Sequence, residues 1–92
     1  MRKVFTDEAW DDYLYWSTHD KRILKRINAL IKDIERSGAP TGVGKPEPLR
    51  GNLSGWWSRR IDGEHRIVYR VLGDGDARCL EILQCRTHYG DR

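Results

Sequence analysis

Cysteine and proline are scarce in this chain of 92 residues, and it has no long apolar run. The two cysteines, Cys79 and Cys85, fall in one stretch of strand pattern. At about 3.3 Å per residue they stand roughly 20 Å apart, too far for a disulfide within that strand. They are expected to be reduced residues of a cytosolic protein, in the core or half-buried. No apolar segment of a secretory signal follows the N-terminus, and no stretch reaches the length of a membrane span. A soluble, cytoplasmic protein without a membrane partner is therefore expected. Cys/His ligand spacing is missing and the acidic residues are scattered along helices, which speaks against a metal or other cofactor. A Gly-rich phosphate loop, a nucleophile elbow and a dinucleotide fingerprint are missing too.

The length predicts a single domain over residues 1–92 that buries about 60–65% of its unfolded surface. Lys and Arg total 17 against 14 Asp and Glu, a net charge of +3. The whole excess lies in residues 45–70, where Lys45, Arg50, Arg59, Arg60, Arg66 and Arg70 outnumber Glu47, Asp62 and Glu64. Such a local basic field suits a polyanion or an acidic protein segment; a merely solubilising surface is the plainer alternative.

Lys3 to Phe5 reads as a short strand. Thr6 can cap a first helix, with Asp7 and Glu8 in its first turn and Trp10, Tyr13 and Leu14 at helical spacing to about Ser17. Asp20 can cap a second helix. Its apolar stripe is Ile23, Ile27, Leu30, Ile31 and Ile34, and Gly38 and Pro40 stop it. Residues 38–55 are rich in Gly and Pro and read as a long connection without regular structure, a type more often functional or mobile. Three strands follow, at about Trp56–Ile61, His65–Leu72 and Ala77–Arg86, with turns at Asp62-Gly63 and at residues 73–76.

The predicted fold is thus α+β: two N-terminal helices on one face of a small, mostly antiparallel sheet, in the order β-α-α-β-β-β. In the middle strand Ile67, Tyr69 and Val71 point to the helices, and Arg66, Val68 and Arg70 to an open face. A two-residue hairpin loop puts Arg59 on the Arg66 face, whereas a three-residue loop including Glu64 puts Arg60 there. The longer loop is favoured because it keeps Trp57 and Ile61 with Ile67 and Tyr69.

Glu47 stands between Pro46 and Pro48, which hold the local chain extended. Arg66 lies mid-strand and must face water, a carboxylate or a phosphate. His88 and Tyr89 come close after the last strand. Each alone has an ordinary explanation: a solvated loop carboxylate, an ion pair with Glu64 or Glu47, a frayed tail. Together they hold the groups that RNA cleavage by its own 2′-hydroxyl needs. Glu supplies a base, Arg a cation for the phosphorane, His an acid for the leaving 5′-oxygen, and Tyr a surface for an unpaired base. His19 reads as a surface residue and His65 as structural.

The segments WDDYLYW (10–16), DKRILKRINALIKDI (20–34), GKPEPL (44–49), NLSGWWSRRI (52–61), EHRIVY (64–69) and the closing His88-Tyr89 resemble YoeB-type toxins, the Txe/YoeB family of the RelE toxin–antitoxin superfamily. The resemblance runs in order over nearly the whole chain. It implies the compact RelE-like (microbial-RNase-like) fold and a ribosome-dependent mRNA endoribonuclease acting in the ribosomal A site. It also implies the roles: Glu47 as base, Arg66 at the transition state, His88 as acid and Tyr89 as the supporting aromatic. Arg60 and Glu64 are implied as accessory residues; Lys45, Arg50 and Arg59 of the basic segment are expected to contact RNA phosphates. Implied partners are the 30S A site with its rRNA, mRNA, and a YefM/Phd-like antitoxin with an acidic C-terminal segment; some members form a homodimer. The chain departs from the family pattern in the residues Gly90 to Arg92 after Tyr89, and in a longer turn at residues 73–77. Two rivals stand beside this reading: a RelE-fold toxin acting on gyrase by protein contact, and a non-catalytic ribosome or RNA binder.

Overall fold

The structure, a computed structural model, describes residues 1–87, so the acid and aromatic expected at His88 and Tyr89 lie outside the described residues. Its elements are β1 (Arg2–Phe5), α1 (Asp7–His19), α2 (Lys21–Ser37), β2 (Glu47–Pro48), β3 (Trp57–Arg60), β4 (Arg66–Leu72) and β5 (Cys79–Gln84), with 3-10 turns at Gly51–Leu53 and Gly75–Ala77. Local chemistry sets the helix ends. The Thr6 hydroxyl accepts from the Ala9 N–H at 3.0 Å, and Asp20 accepts from the Arg22 and Ile23 N–H groups. Gly38 closes α2 with φ +85°, a conformation that favours glycine. Among the described residues no helix is long and apolar enough to cross a membrane.

The five strands form one sheet in the order β1-β5-β4-β3-β2, antiparallel except for the parallel pair β1 and β5. Both helices cover one face. There Ile27, Leu30, Ile31 and Ile34 of α2 meet Ile67, Tyr69, Leu80 and Ile82 of the sheet. Each such side chain contributes roughly 1.5–3 kcal/mol when fully buried. Polar anchors fix α1 to the far end of β5: the Thr6 hydroxyl donates to Leu83 O at 2.7 Å, and Trp16 Nε1 donates to Cys85 O at 2.8 Å. Cys85 is a buried core residue and Cys79 is half-buried, and no disulfide joins them.

The hairpin takes the three-residue loop. Ile61 N–H donates to His65 O at 2.9 Å across residues 62–64, and Arg60 stands opposite Arg66. The same register places Arg59 opposite Ile67 on the helix side, fully buried. The expected contact of Arg59 with RNA is therefore wrong, because its guanidinium is spent inside the protein. Nε donates to the Tyr69 hydroxyl at 2.8 Å. Nη1 donates to Asp33 Oδ2 at 2.6 Å and to Val43 O, and Nη2 to Gly38 O and Thr41 O. These bonds employ all of its donors. Tyr69 in turn donates to Ala39 O, and Asp33 accepts from the Val43 N–H. The connection after α2 is thus fastened by side chains where it has no ladder of its own. It passes so close to the ion pair that a Cβ on Gly42, at φ +123°, would lie 2.0 Å from Asp33 Oδ2.

The expected structureless stretch 38–55 needs a second correction. It contains β2 and a 3-10 turn, because Leu49 N–H finds Trp56 O at 2.9 Å and Glu47 pairs with Ser58. Pro48 is tolerated there because β2 is an edge strand, whose outer side needs no ladder donor.

Breaking the pair from one side leaves a buried charge alone. Arg59→Met and Asp33→Leu should each lower the unfolding free energy by about 3–5 kcal/mol, and the double variant by less than their sum; denaturant unfolding of the four proteins measures this. Bonds from Arg59 first, then from Arg36 and the Val43 N–H, hold the Asp33 carboxyl at about 2 against its burial, below the ordinary 3.8. Its stabilisation is therefore complete above pH 3.8 and is lost as the pH falls towards 2. Acid titration of stability in that window should be blunted in Asp33→Asn.

Candidate functional site

The sheet face away from the helices carries three of the sequence-predicted residues, Glu47, Arg60 and Arg66. Partners opposite one another in a ladder project to the same side, so Glu47, Ser58, Val68 and Gln84 form one row across four strands. Arg60 and Arg66 form the neighbouring row, two residues along β3 and β4. Strand spacing and rise put the Cα atoms of Glu47 and Arg66 about 12 Å apart, within the combined reach of the two side chains. Glu47 is exposed at the sheet edge and lines a concavity of 480 Å³ with Pro48, Leu49 and Arg50. It is held from beneath: Gly44 O accepts from the Arg60 N–H at 2.7 Å, just before β2 begins.

Arg66 Nη1 donates to Asp62 O at 2.9 Å and His65 O at 3.0 Å, which turns this end of the guanidinium towards the hairpin loop. Asp62 shapes that loop by accepting from the N–H groups of Glu64 at 2.8 Å and His65 at 2.6 Å. Burial would raise the Asp62 carboxyl, but these bonds and the nearby charge of Arg66 leave it below its ordinary value. Glu64 is exposed, with Oε1 3.7 Å from His65 Nε2.

The basic field is narrower than the sequence suggested. Arg59 is internal, and Arg70 is paired with Glu81 and lies 4.3 Å over the Trp56 ring. Lys45, Arg50 and Arg60 remain exposed, with Arg66 half-exposed beside them. Nor is this face open throughout. Ser58, Val68 and Gln84 at its centre are buried, so the accessible part is the rim formed by β2, Arg60 and the hairpin loop. Among the described residues no group of three or more His, Cys, Asp and Glu could hold a metal ion.

The path of the chain after β5 completes the arrangement. Arg66 N–H donates to Thr87 O at 3.1 Å, so the residue preceding His88 runs beside the arginine. Sequence reasoning missed two pieces, the Asp33–Arg59 pair and a bond from the Thr87 N–H to His65. The first left a readable trace: strand parity placed Arg59 on the core side, and Asp33 stands beside Ile34 and three residues from Leu30 on the inner stripe of α2. For the second no signal existed, since a positive φ at Thr87 is not written in its residue type.

Exposed residues of this rim should be dispensable for folding. Glu47→Ala and Arg60→Ala are expected to shift stability by no more than about 0.5 kcal/mol, as read by thermal unfolding.

Known proteins share this sequence pattern and fold. A family model described as YoeB-like toxin of bacterial type II toxin-antitoxin system matches residues 5–89. Toxin YoeB of Escherichia coli K12 is 56% identical over 89 residues, covering 97% of this chain and 100% of the relative. A solved YoeB/ParE toxin from Agrobacterium tumefaciens superposes with a TM-score of 0.93 at 50% identity, over 97% of this chain and 100% of that one. YoeB of Staphylococcus aureus has been solved as a dimer (TM-score 0.86, 44% identity) and in a heterotetrameric YoeB-YefM complex (0.85, 45%). Each alignment covers 97% of this chain and 98% of the other.

Proposed function

The chain belongs to the YoeB-like toxins of bacterial type II toxin–antitoxin systems, and on that footing we propose that it is a ribosome-dependent mRNA endoribonuclease. The observation that carries this reading is the convergence of Glu47, Arg60 and Arg66 on one rim, with the chain leading into His88 bonded to Arg66.

The chemistry follows from the residue types. Glu47 takes the proton of a ribose 2′-hydroxyl, and the 2′-oxygen attacks the adjacent phosphorus. Arg66 stabilises the negative phosphorane, with Arg60 beside it. His88 gives a proton to the departing 5′-oxygen. The products carry a 2′,3′-cyclic phosphate and a 5′-hydroxyl, with the proton gained by Glu47 balancing the one lost by His88. Tyr89 stacks on an unpaired base, Glu64 lines the rim, and Lys45 and Arg50 contact phosphates. No cofactor is required by these steps.

The A site of the 30S subunit supplies an extended, unpaired mRNA, which places the reaction in the cytoplasm. The rim carries only a few cations, so the toxin alone gives a weak grip that salt loosens further. A YefM-like antitoxin would set an acidic segment on the same cations, in keeping with the YoeB-YefM complex of Staphylococcus aureus, and the dimer of that relative supports a homodimer here.

On ribosomes programmed with mRNA, Glu47→Ala, Arg66→Ala and His88→Ala should each slow cleavage by about 10²–10⁴-fold, and the wild-type products should carry the cyclic phosphate. Undiminished cleavage by both Glu47→Ala and His88→Ala would exclude this chemistry.

A further inference from the structure

Thr87 is the last residue before the proposed acid, and its backbone stands at φ +64°. For a β-branched residue that left-handed conformation is strained and persists only where the surroundings enforce it. Three hydrogen bonds do so. Its hydroxyl donates to Arg86 O, and its carbonyl accepts from the Arg66 N–H at 3.1 Å. Its own N–H donates to His65 Nδ1 at 2.7 Å. That last bond dictates the state of the imidazole, because Nδ1 accepts only with its lone pair free, leaving the proton on Nε2.

The imidazole is itself held. Its side chain is 15% exposed and meets the Trp16 ring edge-to-face, with centroids 4.8 Å apart. Trp16 is fixed by its bond to Cys85 O, and the Asp62 carboxylate fixes the His65 N–H. A rigid chain of contacts thus runs from α1 through His65 to Thr87, immediately next to Arg66.

We propose that His65 is a positioning residue of the reaction: its Nδ1 holds the Thr87 amide and so sets the point from which the chain continues into His88. This rests on His88 being the acid of the nuclease reading. A proton donor misplaced by an ångström loses much of its rate advantage, whereas substrate binding by the basic rim is untouched. His65 therefore acts on the chemical step without touching RNA.

The test uses the full chain. His65→Phe keeps an aromatic ring against Trp16 and removes the acceptor; His65→Asn places Oδ1 where Nδ1 stood. In single-turnover cleavage on programmed ribosomes, His65→Phe should lower the saturating rate about tenfold or more with an unchanged half-saturating ribosome concentration, and His65→Asn should restore it to within about threefold. A wild-type rate in His65→Phe, or no recovery in His65→Asn, would overturn the proposal. A measurement on the wild-type protein needs no variant to fold: a through-hydrogen-bond nitrogen–nitrogen coupling between the Thr87 amide and His65 Nδ1 is expected by NMR, and its absence also overturns the proposal. If the wild-type chain leaves mRNA intact, the nuclease reading falls and the catalytic role of His65 with it, while the coupling still reports whether His65 holds Thr87.

Discussion

A single guanidinium decides how this small fold is closed. Arg59 lies buried between β3 and the end of α2, where an unpaired charge would be costly, and it is tolerated because every donor meets an oxygen. Three of those oxygens are backbone carbonyls of the connection leaving α2. The ion pair with Asp33 is thus less a source of net stability than a template: it prescribes where an otherwise irregular segment must run. That segment delivers Gly44 to the Arg60 N–H and so brings β2, with Glu47, to the edge of the sheet. A buried charge on one face of β3 fixes the placement of a carboxylate on the other.

The two faces of the sheet have separate tasks. Towards the helices lie aliphatic residues and the Arg59 cluster; away from them lie the row of Glu47 and the row of Arg60 and Arg66. Alternation along β3 carries both in four residues, since Trp57 and Arg59 point inward while Ser58 and Arg60 point outward. At the other end α1 grips the exit of β5 through Thr6 and Trp16, and the chain turns from there to Thr87 beside Arg66. Rigid anchors at both ends suit the preorganised charge on which the proposed chemistry depends.

Much of this was legible in the residues. Caps, apolar spacing and turn residues located both helices and the three C-terminal strands, and parity chose the hairpin loop through Trp57 and Ile61. The same parity already placed Arg59 inside, yet its charge suggested a ligand contact; the partner, Asp33, lies 26 positions away and only the packed fold joins them. β2 escaped notice because two residues, one of them a proline, carry no periodicity, and their pairing with β3 is a tertiary event. The centre of the outer face read as open, whereas Ser58, Val68 and Gln84 are buried. Glu47 and Arg66 were recognisable as a combination of chemical types, and ladder register was needed to put them on one side of the sheet.

The most direct measurement replaces one atom of the substrate. An mRNA with a single 2′-hydrogen in place of the 2′-hydroxyl at the cut position is placed in the ribosomal A site with this protein. If Glu47 activates that hydroxyl, cleavage stops at the altered nucleotide, while the unmodified message yields a 2′,3′-cyclic phosphate. Cleavage of the altered message at the same position would contradict the mechanism.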